Sequence, residues 1–179
     1  MKVRRYRPPR ALVVIGVLLI YGIVDVVAPI AVSTLGPRHG WSGGRPGPLN
    51  VLGGVLVGLG AIVVARALAG HRRAIRARDW DVVKVDPHHL LTPEYLVVDG
   101  PYARTRNPLY VGDVVMWIGW AALLGSVPVA VGAVLLAVGL QVGARFEERG
   151  LAKQFGEQWT SYARDVPRFI GKRTVRARP

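Results

Sequence analysis

The sequence predicts an all-α integral membrane protein with four transmembrane helices and a C-terminal interfacial amphipathic helix. Three observations lead there. The chain has 179 residues, 51% of them hydrophobic, too apolar for an ordinary soluble domain of this size. Its apolar residues fall in runs long enough to cross a bilayer, which takes about 20 residues of helix. Its formal charge of +13 is concentrated between and beyond those runs. A nucleic-acid-binding protein would place such charge on one face of a soluble fold, so no nucleic acid partner is assigned. There is no cysteine, hence no disulfide and no thiolate chemistry. Histidines 39, 71, 88 and 89 lack helical ligand spacing, so no metal is assigned. Residues 1–179 are read as a single membrane domain opening with an N-terminal helix pair, 1–70.

The first ten residues carry Lys2, Arg4, Arg5, Arg7 and Arg10, and an apolar run from Ala11 to Val32 follows. That run is longer than a usual signal core and lacks a convincing small-residue cleavage site, so it is read as a retained first helix. Asp25 and Pro29 interrupt it. An intramembrane carboxylate at Asp25 is either a functional group or one hydrated or paired with a neighbouring helix. Ser33 to Pro48 is a turn-rich loop with few fixed charges, expected on the outer side. The second run, Leu49 to Ala69, holds Gly54 and Gly58 at a spacing that permits close helix packing.

His71 to Asn107 is a long polar segment rich in arginine, which places it inside. The third span runs from Pro108 to Gly125 and the fourth from Val127 to about Ala144, joined by an uncharged turn at Ser126 and Pro128. These two must be antiparallel neighbours. The residues after Arg145 are strongly basic, so both termini are expected to be cytoplasmic in a cell (inner) membrane protein. Between Arg145 and Arg164, Phe146, Leu151, Phe155, Trp159 and Tyr162 approach helical spacing, as in an interfacial helix with weak points at Gly150 and Gly156. The basic end, Lys172 to Arg178, suits anionic lipids.

The stretch Leu96 to Gly112, LVVDGPYARTRNPLYVG, joins the polar loop to the third span. Pro101 and Pro108 bias the residues before them toward extended backbone, so an ordered strap ending at a helix start is expected, with Asn107 as the cap. The following turn offers free N–H groups, the Tyr110 ring and the bare backbone of Gly112 at the membrane surface. A ligand could approach there, although a capped helix entrance with Tyr110 as an interfacial anchor explains the same residues.

Taken in order, Gly100-Pro101-Tyr102, Arg106-Asn107-Pro108-Leu109-Tyr110-Val111-Gly112, a membrane hairpin, Glu147-Glu148, Phe155-Gly156, Trp159, Tyr162 and Val166-Pro167 resemble the isoprenylcysteine carboxyl methyltransferase family. Its wider group includes membrane phospholipid methyltransferases. The resemblance implies a cosubstrate-binding core over residues 90–170 that takes S-adenosylmethionine from the cytoplasmic side. Residue by residue, it places Leu96, Val97, Tyr102, Asn107, Pro108, Leu109, Tyr110 and Glu147 against the cosubstrate. Asn107 stands where the family often has histidine. The family's substrate-binding arginine falls at Gly143, leaving Arg145 as the nearby candidate for catalysis.

The implied activity is methyl transfer to a lipophilic acceptor, a membrane lipid or an isoprenoid-like molecule, with a carboxylate favoured (O-methylation). An ionised carboxylate needs only an arginine to place it, whereas an amine or hydroxyl needs a base. Membrane reductases of the sterol-reductase-like group resemble the same C-terminal half and use NADPH, and a noncatalytic scaffold is a third reading; the scaffold alone does not choose among them.

Overall fold

The computed structural model describes residues 10–76 and 96–171. The middle of the polar loop, with His88 and His89, and the basic end from Lys172 to Arg178 lie outside the described residues. The described chain is mainly helical: α1 (Arg10–Gly22), a π turn (Ile23–Val27), α2 (Ala28–Val32), α3 (Pro48–Arg76), α4 (Pro108–Leu124), α5 (Val127–Phe155) and α6 (Glu157–Asp165). A two-residue hairpin, β1 (Trp41–Ser42) with β2 (Arg45–Pro46), lies in the loop before α3. Three described stretches are long and apolar enough to cross a membrane, Ile15–Leu35, Pro48–His71 and Val127–Phe155, and Pro108–Leu124 is a shorter apolar helix.

The interruption expected at Asp25 and Pro29 takes the form of the π turn. Pro29 has no N–H to give to the carbonyl four residues earlier, which is that of Asp25. That carbonyl accepts instead from the Trp120 indole at 2.6 Å. The Ala28 N–H reaches back five residues to Ile23. The first segment is thereby pinned to α4.

Helices α3 and α4 are antiparallel and meet along a glycine seam. A Cβ on Gly53 would lie 2.6 Å from the Gly119 carbonyl oxygen, and one on Gly60 would lie 2.7 Å from that of Gly112. Both pairs are seven residues apart, two turns, so they stay on one face. The pair at four-residue spacing, Gly54 and Gly58, whose spacing fitted close packing and nonspecific glycine enrichment equally, is not part of the seam. Nothing lies within 4 Å of a Cβ at Gly58, and Gly54 meets only the tip of Leu123 at 3.8 Å.

At the other end of this pair from the strap, buried Asn50 serves as a polar tie. Its amide donates to the carbonyls of His39, Ala122 and Leu123 at 3.0 to 3.2 Å, and its Oδ1 accepts from Gly47. The turn to α5 uses Gly125 in a left-handed conformation (φ 58°), then Ser126, whose Oγ accepts the Val129 N–H. Helix α5 does not stop near Ala144. It runs unbroken for 29 residues to Phe155, through Gly150, and breaks at Gly156 (φ 53°). The expected interfacial helix from Arg145 is therefore half membrane-helix extension and half the nine-residue α6. The aromatic residues do not share a face: Phe146 is exposed, whereas Trp159 is buried.

Candidate functional site

The strap has the predicted non-helical form, with one 3-10 turn at Gly100–Ala103 entered through Gly100 at φ 59°. Its anchor is Tyr102. The ring is buried in a cluster with Ala67 and Val97, against which Leu109 packs. Its hydroxyl shares a 2.6 Å hydrogen bond with His71 Nε2 at the end of the second apolar run. The two rings meet edge to face at 5.2 Å. Tyr162 of α6 donates its hydroxyl to the Tyr102 carbonyl at 2.7 Å. Burial raises the Tyr162 pKa, so the phenol stays protonated and able to donate.

Pro108 occupies the first turn of α4 and is fully buried. Asn107 sits at the cap position, but its side chain does not cap. Its amide donates to the Arg168 carbonyl at 3.0 Å, a better use than a helix end whose first donor is already absent at proline. Thr105 donates its hydroxyl to the same carbonyl at 3.0 Å, and the Arg106 N–H donates to Pro167 O at 3.0 Å. The segment Val166 to Arg168 is thus stitched along the strap.

The adjacent glutamates divide sharply. Consecutive helical residues point about 100° apart. Glu148 is buried and accepts two-pronged hydrogen bonds from Arg168, Nε to Oε1 at 2.9 Å and the terminal nitrogen to Oε2 at 2.6 Å. Arg106 adds an ion pair at 3.5 Å and lies 5.6 Å over the Trp159 ring. The hydrogen bonds from Arg168 to Glu148 raise the guanidinium pKa further. Glu148 closes a structural clasp. Glu147 is exposed, and its Oε2 accepts from the Tyr110 hydroxyl at 3.0 Å.

Among the residues expected at the site, the structure brings together Tyr110 and Glu147, and separately Val97, Tyr102 and Leu109. Val97, Tyr102 and Pro108 are buried supports, Leu96 is half-buried, and Arg145 is exposed with no ion pair to another described residue. Of the clasp residues, Arg106 and Glu148 entered the sequence reading only as members of the family pattern, without a role, and Arg168 did not enter it beyond following Val166-Pro167.

The model of the phospholipid methyltransferase family matches residues 49–158, more than half of the chain. The cobalt-zinc-cadmium resistance protein CzcN of Cupriavidus metallidurans (strain ATCC 43123 / DSM 2839 / NBRC 102507 / CH34) is 32% identical over 151 residues, 83% of this chain. The chain spans 62% of the length of that relative. No solved structure matches. The matched span begins with α3 and ends inside α6, taking in the glycine seam, the strap and both glutamates. By that match over more than half of its length, the chain belongs to the phospholipid methyltransferase family.

Proposed function

We propose that this protein transfers a methyl group from S-adenosylmethionine to a lipophilic acceptor at the cytoplasmic membrane face. The observation that carries the reading is the Tyr110–Glu147 hydrogen bond, 3.0 Å long, at the open rim where the strap meets α4 and α5. Glu147 is exposed and has lone pairs beyond the one that Tyr110 occupies. An exposed carboxylate of this kind fits the ammonium and ribose hydroxyl donors of S-adenosylmethionine, and the Tyr110 ring fits an apolar or aromatic part of it. Leu96, Asn107 and Leu109, half-buried along the strap and the first turn of α4, would complete the binding surface. Val97, Tyr102 and Pro108 act from behind, by holding the strap.

The bound cosubstrate supplies a methyl group on a sulfonium, an electrophile that an aligned acceptor can attack directly. This chain's work is then positioning and exclusion of water, which can account for most of the rate. The clasp of Glu148 with Arg168 and Arg106 fixes the strap, so the entrance is shaped before ligands arrive. A carboxylate acceptor would rely on Arg145, two residues before Glu147 on α5, and its product would be a base-labile methyl ester. In this reading both termini are cytoplasmic, α4 also spans the membrane as the third of four spans, and anionic lipids meet the basic end.

The test is transfer of labelled methyl from S-adenosylmethionine to total membrane lipid by the purified protein, with identification of the labelled lipid. Label that appears in lipid and depends on Glu147 supports the reading. Absence of both cosubstrate binding and transfer overturns it.

A further inference from the structure

Three polar side chains inside the membrane region lack partners. Asp25 is 3% exposed, and both of its carboxylate oxygens are buried without a hydrogen bond. Asp113 Oδ1, on α4, is likewise buried and unpartnered. Trp117 is buried too, and its indole N–H lies beside the Asp25 carboxylate, close enough to act on it but out of position for a well-formed hydrogen bond. The three converge because Trp120 holds the Asp25 backbone against α4, and Trp117 and Asp113 lie four residues apart on that helix. Asp25 lies close enough to Asp113 for its charge to act on that group, and both lie close enough to act on Tyr21. Among the described residues, no cation forms an ion pair with either carboxylate.

Unpaired polar groups in apolar surroundings are costly, and two carboxylates with no cation between them are more so. A packing role would be met by residues that need no partner. The cluster instead offers acceptors and a donor that no other described residue satisfies. It also lies in line with the proposed cosubstrate rim. Asp113 is three residues beyond Tyr110 on the same face of α4, and Tyr110 binds Glu147.

We infer that Asp25, Asp113 and the Trp117 indole receive the polar head of the methyl acceptor, that this head bears an N–H or O–H at the atom to be methylated, and that Asp113 takes its proton. The inference rests on the methyl-transfer reading above. A carboxylate acceptor is excluded from this site by like charge, whereas an amine or hydroxyl supplies the donor that the carboxylates lack. In the step, the lone pair of the acceptor nitrogen or oxygen forms the bond to the methyl carbon. The carbon–sulfur bond breaks, and its electron pair remains on sulfur as the thioether. The acceptor's proton passes to Asp113, making a carboxyl group. Tyr110 and Glu147 then lead from Asp113 toward the exposed rim, a direction for the proton to leave. Asp25 lies outside the residues matched by the family model, so the second carboxylate is a contribution of this chain's own first segment.

The experiment uses the full chain in detergent with total membrane lipid and methyl-labelled S-adenosylmethionine. The labelled lipid is treated with mild base, which releases methyl esters as methanol and leaves N-methyl and ether products intact. The expected label is base-stable, and headgroup analysis assigns it to nitrogen or oxygen. Asp113→Asn should lower transfer by about 100-fold or more, the scale of a lost general base, with cosubstrate affinity unchanged. Asp113→Glu should restore a measurable part of the rate. Asp25→Asn should raise the lipid concentration for half-maximal transfer. Base-labile label, or full activity in Asp113→Asn, overturns the inference while leaving methyl transfer standing. If Asp113→Asn does not fold, the base stability of the wild-type product decides alone. Failure of the wild-type protein both to bind the cosubstrate and to transfer label removes the methyl-transfer reading and this inference with it.

Discussion

The Tyr110 hydroxyl donates to Glu147 Oε2 across 3.0 Å, joining the first turn of α4 to a point 37 residues later in the chain. Its neighbour Glu148 faces the other way, into Arg168 and Arg106. One glutamate is therefore available to a ligand and the other is consumed by the fold.

Glu147→Gln should raise the S-adenosylmethionine dissociation constant by about 10- to 150-fold, the worth of one charged hydrogen bond. Its melting temperature should stay close to that of the wild type. Calorimetric titration of the purified variant checks both parts, and an unchanged dissociation constant would remove Glu147 from the site. Tyr110→Phe should act in the same direction and more weakly, because the ring remains.

Glu148→Gln should behave in the opposite manner. It leaves two guanidinium groups facing a neutral amide, and breaking a buried pair from one side costs on the order of 3 kcal/mol. The expected result is a lower melting temperature in detergent with cosubstrate affinity changed only a few-fold while the protein is folded. A larger loss of affinity than for Glu147→Gln would reverse the assignment.

Gly60→Ala places a methyl 2.7 Å from the Gly112 carbonyl oxygen and 2.8 Å from the Met116 nitrogen. Backbone cannot step aside as a side chain can, so the seam must open, at about 1 to 3 kcal/mol. Gly58→Ala meets nothing within 4 Å and should be neutral or slightly stabilising. Thermal unfolding of the two variants compares them directly.

Because the chain has no cysteine, single cysteines report topology without background. Ser42→Cys and Ser161→Cys replace exposed residues on the hairpin and on α6. In sealed cells, a membrane-impermeant maleimide should label the first and not the second. Labelling of both from outside would contradict a cytoplasmic α6.

The apolar spans, the short turn at Ser126 and the extended strap were legible because each is a local property. Hydropathy, proline placement and turn residues act within a few positions. Pairings across the chain were not. A four-residue glycine spacing and a seven-residue one both occur in α3, and only the presence of Gly112 and Gly119 opposite selects Gly53 and Gly60. The length of α5 was misread because charge after Ala144 looked like a membrane exit, yet a helix can leave the bilayer without ending. Asn107 resembled a cap until Arg168, 61 residues later, supplied a carbonyl for its amide. Asp25 was visible as an anomaly from its residue type alone. Its proximity to Asp113 required the fold.

The stitching of Val166 to Arg168 along the strap also fixes when the site can exist. A ribosome delivers Thr105, Arg106 and Asn107 some 60 positions before the carbonyls they bind. Until that later stretch emerges, Glu148 has no Arg168, and the strap has no second edge. The α3–α4 pair can form in the membrane as soon as both helices are inserted, since its seam needs nothing downstream. A nascent chain halted before Pro167 would therefore hold the strap only at Tyr102 and leave Thr105 to Asn107 unstitched. Emergence of Val166 to Arg168, rather than insertion of the helices, is the event that assembles the entrance.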